Sequence, residues 1–182
     1  MPWTAPKTWS VAEVVTAANM NTHLRDNLNY INVQHKVRTA DQSSTTTTLA
    51  NDDTLFFAVL ANEVWLIETH LLIDSNATAG FKCTWTVPGG ASIKWGGQMD
   101  LSGANIMWMG DTSNSSNALK NATETQTYAS PAAGNIWGVT IRGIATVAGT
   151  AGNVQFQWAQ GTASGTTIAK AGSLFIAHRV ST

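Results

Sequence analysis

Four histidines, His23, His35, His70 and His178, are the side chains best suited to acid/base or metal chemistry, and they lie far apart along the chain. None pairs with another at the spacing by which one helix face holds a metal, as in an H-E-x-x-H arrangement. Glu68 and His70 are the exception among mixed pairs: two residues apart in an extended strand, they leave the same face and could form an acid/base couple. They stand between Leu66 and Leu72, so the expected role is a polar contact between subunits. Asp52 and Asp53 open a strand, where successive side chains point to opposite sides. They therefore do not converge on a cation, and a solvated turn is expected there. Cys83 is the single cysteine, without a disulfide partner or zinc-ligand pattern, and reads as a small core residue. No G-x-S-x-G elbow, glycine-rich phosphate loop or Cys–His pairing occurs. The expectation is a chain that is not an enzyme and carries no metal or cofactor.

Tryptophan is the other chemically informative type, with eight copies. Trp65, Trp85 and Trp158 occupy alternating positions typical of a core. Trp95, in IKWGGQ, and Trp108, in IMWMG, border glycines and are the candidates for surface recognition of a sugar or for a place between subunits. Charged residues are only 12% of the 182 residues, about half the usual share, while hydrophobic residues are 43%. The polar surface is built from Thr, Ser, Asn, Gln and Gly, which fits a protein that hides surface in an assembly. A net charge of −1, with scattered Lys and Arg, gives no field for nucleic acid. The opening MPWTAPKTW lacks the pattern of a secretory signal, and no run of about 18 apolar residues could span a bilayer. A product made in the cytoplasm, with neither membrane nor nucleic acid as partner, is expected.

These residues need elements to hold them. Within residues 9–31, Thr16 stands where an N-cap belongs, and Ala17, Met20, Leu24, Leu28 and Ile31 recur as one apolar stripe. The stripe predicts one amphipathic helix of about four turns, too short to be stable alone, which must pack on a partner. Read with a period of 3.5, the seam becomes Ala17, Met20, Leu24, Asn27 and Ile31. That pattern would suit a three-helix stalk with Asn27 as a buried registry point. Before the helix, residues 1–15, with Trp3 and Trp9, read as an extended arm that docks its tryptophans.

From residue 53 the rhythm turns to period two. Strands are expected at 55–59, 63–74, 81–87, 91–95, 106–109, 136–147, 154–159 and 173–180, with residues 43–48 as a linker or a further edge strand and a long polar loop at 111–125. Glycine, asparagine and Pro88-Gly89 mark the turns. The fold class expected is mainly β: an antiparallel β-sandwich preceded by an arm and one amphipathic helix, with residues 1–36 as arm and anchor and 37–182 as head. The strands at 63–74 and 173–180 are apolar on both faces, Leu66 and Leu72 on one side of the former and Phe175 within the latter. A sandwich buries one face of each sheet, so the surplus face calls for another copy of the chain.

The opening TWSVAEVVTAANMNTHLRDNLNYI resembles the amino-terminal segment of many tailed-bacteriophage and prophage virion proteins. The segments DDTLFFAVLANEVWLIETHLLID, FKCTWTVPGGA and TAGNVQFQWAQGTASGTTIAKAGSLFIAHRV are similar to the β-head that follows it in part of that group. The resemblance implies a jelly-roll head like those of tumour-necrosis-factor-like trimers, carried on the outside of a virion, with no catalytic residues. The function expected is a homotrimeric virion structural protein that decorates or stabilises the capsid, bound to other virion proteins. A tail or head fibre component with a receptor- or glycan-binding head is the alternative. Trp3, Trp9, Met20, Leu24, Asn27, Leu28, Ile31, Leu66, His70, Leu72 and Phe175 are the residues expected at the trimer or platform interface.

Overall fold

The computed structural model describes residues 4–31, 33–100, 107–108, 119–130 and 135–181. Trp3 and the span 111–118 of the expected polar loop lie outside them. Among the described residues twelve strands form two antiparallel sheets: β1 (Val33–Val37), β2 (Gln42–Ser44), β3 (Ala50–Val59), β4 (Val64–Ser75), β5 (Phe81–Thr86), β6 (Ser92–Asp100), β7 (Met107–Trp108), β8 (Gln126–Tyr128), β9 (Ile136–Thr146), β10 (Gly152–Ala159), β11 (Thr167–Ala169) and β12 (Leu174–Ser181). The larger sheet runs β1-β12-β4-β9-β6-β7, with β11 beside the far end of β4 and β2 outside β11; the smaller runs β3-β10-β5-β8. From β2 to β11 the chain changes sheet at every connection except β6 to β7. This is the expected antiparallel β-sandwich, with crossings between sheets as in a jelly roll.

The strands β1, β8 and β11 were not among those expected, and β2 overlaps only the start of the edge strand expected at 43–48. Their compositions, VQHKV, QSS, QTY and TIA, carry no apolar alternation, and they exist by pairing with an edge already formed. The threonine run shows the competing force. Only Gln42–Ser44 pairs, with β11, because beyond it the Ser44 and Thr46 hydroxyls accept hydrogen bonds from the amides two residues on, at 3.4 and 3.1 Å, and bend the chain. β1, which spans the boundary expected after residue 36, pairs in full with β12 from Val33↔His178 to Val37↔Leu174.

The inner faces of the two sheets make the core. Trp65, Ile67, Leu71, Ile73, Val139, Ile141, Ile93 and Phe175 of the larger sheet meet Leu55, Phe57, Val154, Phe156, Phe81, Cys83 and Trp85 of the smaller. Aromatic rings tie the layers, Phe57 to Trp65 at 5.1 Å and to Phe175 at 5.3 Å between centroids. Two buried ionic groups sit among them. Arg38, just after β1, pairs with Asp52 of β3, whose other carboxylate oxygen accepts the amides of Thr54 (2.9 Å) and Leu55 (2.7 Å). Asp52 is therefore not in a solvated turn: a cation from a neighbouring segment neutralises it inside the head. Glu63 accepts from the Leu60 amide, the Trp65 indole and Arg179.

The N-terminal helix starts where expected, with the Thr16 hydroxyl accepting from the Asn19 amide at 3.2 Å. It is α over Ala17–Met20, π over Asn21–Arg25 and α again over Asp26–Tyr30. The wider π turn offsets the forward drift of about 40° that residues four apart accumulate in an α-helix, so Met20, Leu24 and Leu28 stay in line. Residues 9–15 are not helical; they make a turn with Ala12 at φ 65° and a Lys7–Glu13 ion pair of 2.8 Å.

Candidate assembly interface

The inner face of the larger sheet is the core, and the outer face is open. Cross-strand registers align its outward positions in rows. Val33, His178, Leu66, Ile144 and Lys94 form one; His35, Ile176, Glu68, Arg142 and Gly96 the next; Val37, Leu174, His70, Thr140 and Gln98 a third. Leu72 continues β4 beyond them. Leu66 is 45% exposed, Leu72 40% and Ile144 52%. Leu66 and Ile144 stand side by side, while Leu72 lies beyond the rows of Glu68 with Arg142 and His70 with Thr140, so the aliphatic side chains flank a polar middle.

A polar cluster lies in the middle of this face. The Glu68 carboxylate lies 3.0 Å from His70 Nε2 and accepts from Arg142 at 3.2 Å, while Thr140 Oγ1 is 3.4 Å from His70 Nδ1. Partial burial raises the Glu68 pKa, but the hydrogen bond and charge of Arg142, then those of His70, outweigh it and hold the carboxyl below its ordinary range. His70, Gly96, Gly97, Gln98, Thr140 and Arg142 line a depression of about 170 Å³. Carboxylate, imidazole and hydroxyl thus stand in sequence, as a nucleophilic triad would need. Their setting does not suit that chemistry. The hydroxyl sits in the middle of a strand paired on both sides, where the amides belong to the ladders and none is aimed at a developing oxyanion.

The second exposed surface belongs to the helix. Met20, Leu24, Leu28 and Ile31 are all exposed and form the anticipated stripe. Trp9 and Val15 of the arm join Met20 and Leu24 around a groove of about 350 Å³ between arm and helix. Trp9 is a wall of this groove and remains 42% exposed. Polar contacts hold the arm to the helix: Asn27 donates to the Thr4 carbonyl at 2.8 Å and accepts the Thr4 amide at 3.1 Å, and His23 Nδ1 lies 3.2 Å from the Ala5 carbonyl.

No known protein-family model matches the chain, and no characterised protein matches it in sequence.

Several expected positions move on this geometry. Asn27 is buried by its own arm, so the 3.5-period seam with Asn27 as an axial registry point is displaced by the stripe Met20, Leu24, Leu28 and Ile31. Phe175 is wholly buried in the core against Phe57; the outward residues of β12 are Leu174, Ile176 and His178. Trp95 is also wholly buried, donating its indole N–H to the Asn121 carbonyl at 2.9 Å, and is not a surface recognition residue. The glycines after it are not a turn: β6 runs straight through Gly96 and Gly97. Trp108 is described by its backbone, which pairs with Gln98. Leu66, His70 and Leu72 lie together on the outer face, as their alternation implied. Missed were Ile144, Arg142 and Val37, which join them from β9 and β1; outward parity alone marks Ile144, but nothing local says that β9 lies beside β4.

Proposed function

We propose that this chain is a structural protein of a tailed-phage virion, assembling as a homotrimer on the particle surface and decorating or stabilising the capsid. The observation that carries the reading is the set of exposed aliphatic side chains on the outer face of the larger sheet, Leu66, Leu72, Ile144 and Val37, on a head whose core is built without them. Such a face is stable in water when it is shared between copies. The exposed stripe of the N-terminal helix adds a second attachment surface, suited to a groove in a neighbouring virion protein. The low content of charged residues agrees with surface committed to contacts. The resemblance of the opening segment to virion proteins supplies the particle.

A second reading, a tail or head fibre whose head binds a host-surface glycan, is favoured by the polar depression around His70, Gln98 and Arg142. A cell-binding assay separates the two, because a decoration protein leaves the bacterial surface bare. Light scattering of the purified chain tests the trimer, and a stable monomer at micromolar concentration sinks it. Leu24→Asp should abolish attachment or trimer formation while the head still folds, because Leu24 is 49% exposed and outside the core. If that variant fails to fold, the helix belongs to the head.

A further inference from the structure

We infer that the depression on the outer face of the larger sheet seats the vicinal hydroxyls of a neutral sugar ring, with Glu68 and Arg142 as their charged partners and Gly96 as its floor. The inference rests on the second reading above, in which this face stays open, and names the ligand class and the residues that take it. Gly96 is where the geometry points to a ligand. Its neighbour Gly97 faces the core and is dictated by the Tyr128 hydroxyl, which a Cβ there would meet at 1.9 Å. Gly96 faces outward in the row of Glu68 and Arg142, and packing does not demand it. Its strand pairs with β9 without a bulge from Ser92 to Asp100, and among the described residues a Cβ there would meet one atom within 4 Å, Leu119 Cδ2 at an ordinary 3.5 Å. A glycine inside a strand weakens it. Where no bulge, bend or neighbouring backbone accounts for it, the remaining reason is room for a ligand to approach.

The groups around this floor suit hydroxyls. His70, Thr140, Gln98 and Arg142 line the depression of about 170 Å³, and Glu68 borders it, 3.0 Å from His70 Nε2 and 3.2 Å from Arg142 Nη2. A neutral hydroxyl both donates and accepts, so two on adjacent ring carbons serve a carboxylate and a guanidinium together, through charge-assisted bonds. An ion serves only one of the two and is opposed by the other. Charges farther out do not tip this balance: Lys94, one row away, is engaged by Asn121, and Asp100 holds the register position opposite Gly138, two rows away on the other side. A peptide strand finds no free edge here, because β4 and β9, which carry Glu68, His70, Thr140 and Arg142, are paired along both sides. The volume lies below the roughly 300 Å³ at which sites for larger ligands begin, which fits a single ring. Trp108, of the residue type whose flat apolar face packs on a sugar, takes the register position next to Gln98 in the row of His70 and Thr140.

The test is an array of neutral and sialic-acid-terminated glycans probed with the full chain, then titration with the free monosaccharide of the best neutral ligand. The wild type should prefer a neutral sugar with a vicinal diol. Gly96→Val and Arg142→Gln should each weaken binding by at least about tenfold, the loss expected for a blocked seat or a missing charged hydrogen bond. Gly96→Val should unfold in urea no earlier than the wild type, and Arg142→Gln, at a side chain 62% exposed, keeps the test independent of folding. Sugar binding that survives both variants overturns the site and leaves the host-surface reading standing, as does attachment to bacteria with no array sugar bound. A preference for sialic acid overturns the neutral ligand class. Binding to neither sugars nor cells overturns the site and the second reading together.

Discussion

Gly97 shows how much one absent side chain can decide. A Cβ there would lie 1.9 Å from the Tyr128 hydroxyl oxygen, which reaches under β6 from the smaller sheet. That hydroxyl is buried without a hydrogen-bond partner among the described residues, and burial pushes its pKa well up, so it stays protonated. Gly97→Ala should therefore destabilise the head by about 1–3 kcal/mol in urea unfolding, the usual cost of overpacking. Tyr128→Phe alone should be close to neutral, since it removes a polar atom that is unsatisfied. Combining them should recover part of the loss. A Gly97→Ala penalty untouched by Tyr128→Phe would mean that something other than the hydroxyl opposes the methyl group. The same site explains why a Trp-Gly-Gly sequence that suggests a turn is a straight strand with Trp95 inside.

Among elements, the weak ones are fastened by buried polar contacts and the strong ones by apolar area. The link from β1 to β2 has few apolar residues, yet the Arg38 amide donates to the Ser173 carbonyl at 2.7 Å and its guanidinium holds Asp52 of β3. Removing one partner strands the other as a buried charge. Arg38→Met should cost about 3–5 kcal/mol, and Asp52→Asn added to it should cost much less than the two singly, a coupling readable in a double-mutant cycle. If the two costs simply add, the pair does not act as a unit. The helix is fastened differently. Asn27 and His23 turn to the arm, and the opposite stripe is left open. Its face is therefore available to a neighbour, which a stalk with Asn27 at its axis would not allow.

For the whole molecule, the acid response of the head is set in part by a carboxylate at its surface. The Lys170 ammonium and the Ala171 amide hold the Asp41 carboxyl below its ordinary pKa. A depressed folded pKa contributes stability in full above the unfolded value of about 4, and loses it as pH falls through the folded value. Asp41→Asn should lower stability slightly at neutral pH and flatten the acid limb of a pH–stability curve below about pH 4. A variant curve parallel to the wild type down to that limb would remove Asp41 from the account. The Glu68 carboxyl is held below its ordinary range too, Arg142 outweighing its partial burial.

Local chemistry was enough to read part of this protein. The Thr16 cap, the helical stripe, the period-two strands and the surplus of aliphatic residues on β4 are properties of neighbouring residues, which one stretch of sequence contains whole. The short strands β1, β8 and β11 were not legible, and β2 only in part from the threonine run, because an edge strand takes its order from the strand beside it. Nor was the burial of Trp95 and Phe175, or the ion pair that pulls Asp52 inside, since each depends on which distant segment lies opposite. The candidate interface divides the same way. Alternation along β4 placed Leu66, His70 and Leu72 on one face, but only the registers β1-β12-β4-β9 bring His35, His178, Ile144 and Arg142 to it. Sequence determined that there is an apolar face to cover; tertiary structure decided which side chains share it, because strand order is a long-range outcome of packing that no local pattern encodes.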